Sequence, residues 1–208
     1  MKLSDLLSEM PIFKNTEMPP MELLQPFYSM NTLHREFDFI GKGQTRDNEE
    51  FWVVIKKNHN FAVIGVPGTR ERDGREGMNI YGEIEFKTNL LISGLNKIVA
   101  GKNVVQVNVV GISEKYRHMG FGFYLYLTLA KAGFVVISDN TQYIGGKELW
   151  KSIASTVCNS YVVYVIDNGV VRVNLDGTPV VYDGHNIDDA ELWSTDSSRK
   201  YTLFALIC

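Results

Sequence analysis

The chain has 208 residues, 45% of them hydrophobic and 22% charged, with a formal net charge of −3. That composition excludes wholesale disorder, and the length suffices to bury a core without disulfides or structural metals. The mildly acidic balance speaks against a nucleic-acid binder, and no apolar run reaches the roughly 18 residues of a membrane span.

In chain order, Leu3, Leu6, Leu7 and Met10 fall at helical spacing, which predicts a short amphipathic helix from Ser4 to Met10. Pro11, Pro19, Pro20 and Pro26 then forbid a long helix. Residues 1–34 therefore read as a helical, proline-rich segment packed on a single domain, 35–208. The opening MKLSDLLSEMPIF carries Asp5 and Glu9 and no long apolar run, so it does not read as a signal peptide.

From Arg35 the pattern becomes β-rich. REFDFIG alternates, and FWVVIKK and FAVIGV flank Asn58–His59–Asn60 as a hairpin would. TRERDGREG (69–77) reads as an exposed charged loop, and NIYGEIEFK as a strand with Tyr81, Glu83 and Glu85 on one face. VVQVNVVGI, the turn SEKYRHMGFG, the helix FGFYLYLTLAKAG and the strand FVVIS then make a βαβ unit, with Gly133 ending the helix. GGKELWKSIAST predicts another helix and YVVYVID another strand. Asp176–Gly177 between alternating runs predicts a hairpin over 167–182. A polar return, 183–200, leads to a last strand, 201–207, expected to pair beside 161–166. The insertion 167–200 is acidic: 167–198 holds seven acids against Arg172, a local −6 that leaves +3 elsewhere. The hairpin's exposed edge would suit a homodimer.

The turn Arg117–His118–Met119–Gly120–Phe121–Gly122 lies where a strand passes into a helix. Helix N-terminal N–H groups lack internal partners, glycines admit close approach, and arginine adds charge, so the turn suits a pyrophosphate. Taken alone, the pattern reads first as a helix start with a packing glycine.

With Ile112 before it, this stretch resembles motif A of the GNAT superfamily of N-acetyltransferases, some of which are phage proteins. Tyr116, Arg117, Gly120 and Gly122 match; Glu114 stands where the family has proline, and His118 where it often has glycine. The resemblance covers roughly residues 50–166, and its fifth strand would be VVISDN, ending at Asn140, an asparagine often found there in the family. It implies an α/β (α+β) fold whose mixed, centrally splayed sheet is flanked by helices, here with a C-terminal hairpin insertion. It also implies acetyl-CoA, or another acyl-CoA, as cofactor. Main-chain groups of Val110 and Ile112 would hold pantetheine, and Arg117, His118, Met119, Gly120, Phe121 and Gly122 the pyrophosphate. The implied activity is acyl transfer, in most of the family acetyl transfer, to an amine of unspecified class.

Such a reaction needs a base for an ammonium of pKa about 10 and an acid for the departing thiolate. Where family members often carry a tyrosine as that acid, Leu149–Trp150–Lys151 has tryptophan, whose indole N–H has no useful acidity but could shape a pocket. Base candidates are Glu83, Glu85 and Asp139; the ordinary expectation for each is a solvated carboxylate. The alternative functions are a CoA-binding or regulatory protein without acetyl transfer, and a nucleobase- or DNA-modifying transferase, since the superfamily includes phage proteins that modify adenine. The local charge of −6 disfavours nucleic acid as partner. The four histidines form no metal-binding pattern. Cys158 and Cys208 lack CxxC or metal-ligand spacing and fit a reducing cytoplasm, that of the bacterial host for a phage-encoded chain.

Overall fold

The computed structural model describes residues 12–18, 23, 25–45, 48–87, 99, 101–139, 141–156, 160–193 and 202–208. The helix expected over Ser4–Met10, Asn140, Cys158 and residues 194–200 of the polar return lie outside them. The strands are β1 (Ile12–Lys14), β2 (Phe27–Ser29), β3 (Phe37–Gln44), β4 (Glu50–Lys56), β5 (Phe61–Thr69), β6 (Glu76–Lys87) and β7 (Asn103–Ile112). They continue with β8 (Phe134–Ile137), β9 (Thr141–Tyr143), β10 (Val162–Asp167), β11 (Val170–Val171), β12 (Val181–Tyr182) and β13 (Thr202–Ile207). The α-helices are α1 (Met30–Glu36), α2 (Phe121–Lys131), α3 (Ile144–Ser155) and α4 (Asp189–Leu192). The fold is mixed α+β, a large sheet with parallel and antiparallel pairs flanked by helices.

Two compact units share the chain. One comprises Met1–Met18, Asn89–Gln106 and Gly133–Cys208; the other, Pro19–Thr88 and Val107–Ala132. In the second unit β3, β4, β5 and β6 form an antiparallel meander, and β2 pairs with the start of β6. The charged loop is shorter than expected, because Thr69 and Glu76 already pair. A bulge opposite Ile64–Gly65 leaves Tyr81 as the extra residue of β6. Met78, Ile80, Val63, Val54, Phe37 and Tyr28 pack into one apolar cluster. The C-terminal half of β7 lies beside β6, where the Ser113 N–H donates to the Tyr81 carbonyl at 2.8 Å. Gly82 permits that approach: a Cβ there would stand 2.3 Å from Ile112 Cδ1.

Helix α1 departs from the expected β-rich start at Arg35. Ser29 caps it, its Oγ accepting from the Thr32 N–H at 3.3 Å, and only Leu33 is buried. One apolar anchor gives no periodicity to read, so the cap carries the signal.

In the first unit β7 pairs in parallel with β8 over Asn103–Gln106. β8 pairs with β13 and β13 with β10, both antiparallel, so the last strand lies beside 162–167 as its sequence predicts. Val135, Ile137, Ile166, Val171, Ala205 and Ile207 form the core of this sheet. β11 and β12 both pair with β10, and the chain between them folds back at Asp176–Gly177 as the expected hairpin. Within the polar return, α4 starts at Asp188, whose side chain caps the Ala190 N–H at 2.8 Å. β1 pairs in parallel with β9, a three-residue match that the proline-rich reading of the N-terminal segment does not contain.

Candidate functional site

The turn after β7 builds the first part. Glu114–Tyr116 form one 3₁₀ turn, and the Tyr116 N–H donates to the Ser113 carbonyl at 2.8 Å. The Tyr116 ring lies flat on the bulged Tyr81, centroids 3.6 Å apart, and buried Phe121 meets Tyr81 edge-on at 5.2 Å. Burial, a hydrogen bond with Tyr116 and the Glu49 carboxylate push the Tyr81 phenol well above its usual range. This aromatic stack fixes the turn to β6. Sequence reasoning missed it, because the bulge that aims Tyr81 is set by pairing with β5.

Beyond the stack, His118 has φ of 65° and Gly120 φ of 84°, so the chain reverses tightly before α2. Gly120 is the N-cap of α2 and offers no side-chain acceptor. The first helical bond runs from the Tyr124 N–H to the Gly120 carbonyl at 3.0 Å. The N–H groups of Phe121, Gly122 and Phe123 therefore have no acceptor within the helix, and the helix dipole adds positive potential there. Arg117 folds back so that its Nε donates to the Ile112 carbonyl at 3.4 Å. Lys115, His118 and Gly120 are exposed, and Val110, Ile112, Arg117, Met119 and Gly122 half-buried. Such a turn can hold an anion.

The candidate carboxylates differ from the solvated expectation. Glu83 is buried, 3% exposed, opposite Val63 on β5, and its charge helps raise the phenol of Tyr28, second to burial. Glu85 is half-buried, and Asn108 Nδ2 donates to its Oε2 at 3.5 Å. The structure thus gathers Glu83 and Glu85 in the unit that holds the turn, while Asp139 belongs to the other.

Asp139 follows β8, half-buried, and burial pushes its carboxyl up to about 7 from 3.8. Ser138 before it is tied on every side. Its N–H donates to the Phe204 carbonyl at 2.9 Å, and its Oγ accepts from the Phe204 N–H at 3.1 Å and from Gln142 Nε2 at 3.2 Å. Gln106 Nε2 donates to the Ser138 carbonyl at 3.2 Å, and Trp193 Nε1 to Gln142 Oε1 at 3.2 Å. Five residues, spread from Gln106 to Phe204, share one buried network. The only hint in the sequence is Gln106, a polar residue in an apolar strand.

Trp150 is a correction. It does not shape a pocket: it is 1% exposed and stacks on Phe204 at 5.5 Å, with Trp193 on the same phenylalanine at 5.2 Å. Among the described residues no three His, Cys, Asp or Glu side chains gather as a metal site, and no helix is long and apolar enough to cross a membrane.

No protein-family model matches the chain, and no curated protein does. Among solved structures the chain is similar to nourseothricin acetyltransferase, with a TM-score of 0.31 and 12% identity over 93% of this chain and 95% of that one.

Proposed function

We propose that the protein binds an acyl-CoA, acetyl-CoA by the motif's resemblance, and transfers the acyl group to an amine. One observation carries the reading: β7 runs into a glycine turn from which α2 starts with its first N–H groups uncapped, and Arg117 in the same turn donates to the Ile112 carbonyl at the end of β7. Those groups fit a pyrophosphate, because fixed N–H donors and a permanent cation suit a multiply charged anion. Main-chain groups of Val110 and Ile112 would hold pantetheine; the Ile112 carbonyl keeps a second lone pair beside Arg117 Nε.

The bound cofactor supplies an activated acyl thioester. Proton handling falls to this chain. Asp139 is one candidate base, its carboxyl lifted by burial to about 7. Glu83 and Glu85 are the remaining candidates. Direct attack by the amine needs no covalent enzyme intermediate, so no cysteine is required.

Calorimetric titration with CoA tests the cofactor. Arg117→Ala should weaken binding by about 1.5–3 kcal/mol, the worth of one charge-assisted contact. A wild-type protein without affinity for CoA sinks the reading. Turnover tests the base: Asp139→Asn should lower kcat/KM about 10²–10⁴-fold with CoA affinity intact. A second reading, CoA binding without acyl transfer, is favoured by the burial of Trp150, which leaves no acid at the family's usual position. A wild type that binds CoA yet consumes no acetyl-CoA with any amine of a broad panel would establish it.

A further inference from the structure

Four of the five exposed large hydrophobics among the described residues lie on one segment: Val170, Val173, Leu175 and Val181. The segment is the hairpin between β11 and β12. Its base is fixed to β10, where the Arg172 N–H donates to the Val165 carbonyl and the Val165 N–H to the Val180 carbonyl. Between these bonds the legs leave β10 and pair only with each other. Val173 stands opposite Pro179, and the Asn174 N–H donates to the Thr178 carbonyl at 2.8 Å.

Strand alternation then divides the arm into two faces. Arg172, Asn174 and Thr178 share one, where Arg172 binds Asp167 and Glu191 at 2.6 Å each and Asn174 Nδ2 donates to Thr178 Oγ1 at 3.0 Å. Val173, Leu175, Pro179 and Val181 share the other. Val173 is 55% and Leu175 111% exposed, so that face meets solvent. This inverts the usual order: the polar face is anchored and the apolar face is bare. An apolar face held out in water on a hydrogen-bonded arm marks a contact surface rather than a packing accident.

Charge selects what covers it. The arm itself is neutral, with Arg172 against Asp176, but the ends of its apolar face are acidic: Asp176 at the tip and Asp183 two residues after Val181, both exposed. Arg172, the one base between residues 167 and 198, is already spent on Asp167 and Glu191. Two copies meeting arm to arm would bring these acidic ends together, and nucleic acid or an anionic membrane would be repelled. We propose that this arm docks a basic, apolar-anchored segment of another protein, in which aliphatic side chains cover Val173 and Leu175 while lysines or arginines meet the acidic ends. The surface goes beyond acyl transfer and does not need it, though a lysine-rich partner would also present amines.

Fluorescence anisotropy with the full chain tests this, using a labelled peptide of alternating lysine and leucine and its glutamate–leucine and lysine–serine counterparts. The lysine–leucine peptide should bind best. The pair Val173→Ser and Leu175→Ser should weaken it at least about tenfold, and raising salt to roughly 0.5 M should weaken it further. Both positions are exposed, so the variant keeps its fold, and its CoA titration should match the wild type. Three outcomes overturn the proposal: no binding of the lysine–leucine peptide, equal binding of the glutamate–leucine peptide, or equal affinity in the double variant. A fourth is a wild-type dimer that the double variant dissolves, which would make a second copy the occupant. Loss of CoA affinity in the wild type would sink the acyl-transfer reading and leave the docking result standing.

Discussion

The ends of β7 and β8 solve opposite problems. After β7 the backbone reverses through His118 and Gly120 at positive φ and starts α2 with donors that nothing in the helix satisfies. After β8 every polar group of Ser138 named above is spent on Phe204, Gln142 or Gln106, and the next residue carries a carboxyl lifted to about 7. One end is open and built from local backbone geometry. The other is closed and built from side chains brought together only by folding. An open end can receive a ligand's charge; a closed one can hold a single group in a fixed place and an altered protonation state.

The sharpest way to break the closed end is Ser138→Ala. Removing Oγ leaves the buried Phe204 N–H and a Gln142 N–H without their acceptor. At about 1–3 kcal/mol for each such loss, the variant should lose roughly 2–6 kcal/mol of stability. Urea unfolding with an unchanged m-value is the check. A loss under about 0.5 kcal/mol, typical of surface changes, would mean the network is not tied as described.

Asp139→Asn sharpens the same comparison through pH. The folded pKa lies above the unfolded one, so the native state holds its proton where the unfolded chain has released it. The stability this contributes is complete below about 3.8 and is lost as the pH rises through about 7. Replacement by neutral asparagine should therefore leave stability near pH 4 little changed and raise it at pH 8, by about 2 kcal/mol once half-exposure is allowed for. Equal unfolding midpoints for the two proteins at pH 4 and pH 8 would remove the basis for Asp139 as base.

The contrast also explains what could be read in advance. The unit β7–α2–β8 was legible because its period changes from 2 to 3.6 and back within one stretch, with glycines at both changes. The hairpin beyond it followed from the Asp176–Gly177 turn, and the last strand was expected beside β10, where it lies. Three features were not legible. Helix α1 buries only Leu33 and has no periodic face. The β1–β9 pair is short and joins distant residues. Trp150, expected to shape a pocket because it stands where the family often has tyrosine, is instead held by Phe204, whose location depends on β13 pairing with β8. Local geometry was written locally; the network around Ser138 was not.

The smallest expected effect probes the open end, and it separates the two meanings of its glycine. Gly120 has φ of 84°, and a Cβ there would stand 3.3 Å from Tyr124 Cε2, a flexible ring edge. The strain is therefore mainly in the backbone, and Gly120→Ala should cost about 1–2 kcal/mol. Asparagine tolerates the left-handed region, so Gly120→Asn should recover most of that stability. CoA affinity should not follow. A glycine needed only for the turn would let asparagine restore binding along with the fold. A glycine needed for close approach of a pyrophosphate would not, because any side chain adds bulk at the start of α2. Denaturant midpoints and CoA titrations on Gly120→Ala and Gly120→Asn, measured side by side, decide between them. Binding that tracks stability through both variants would reduce the turn to a packing device and leave the open end without its ligand.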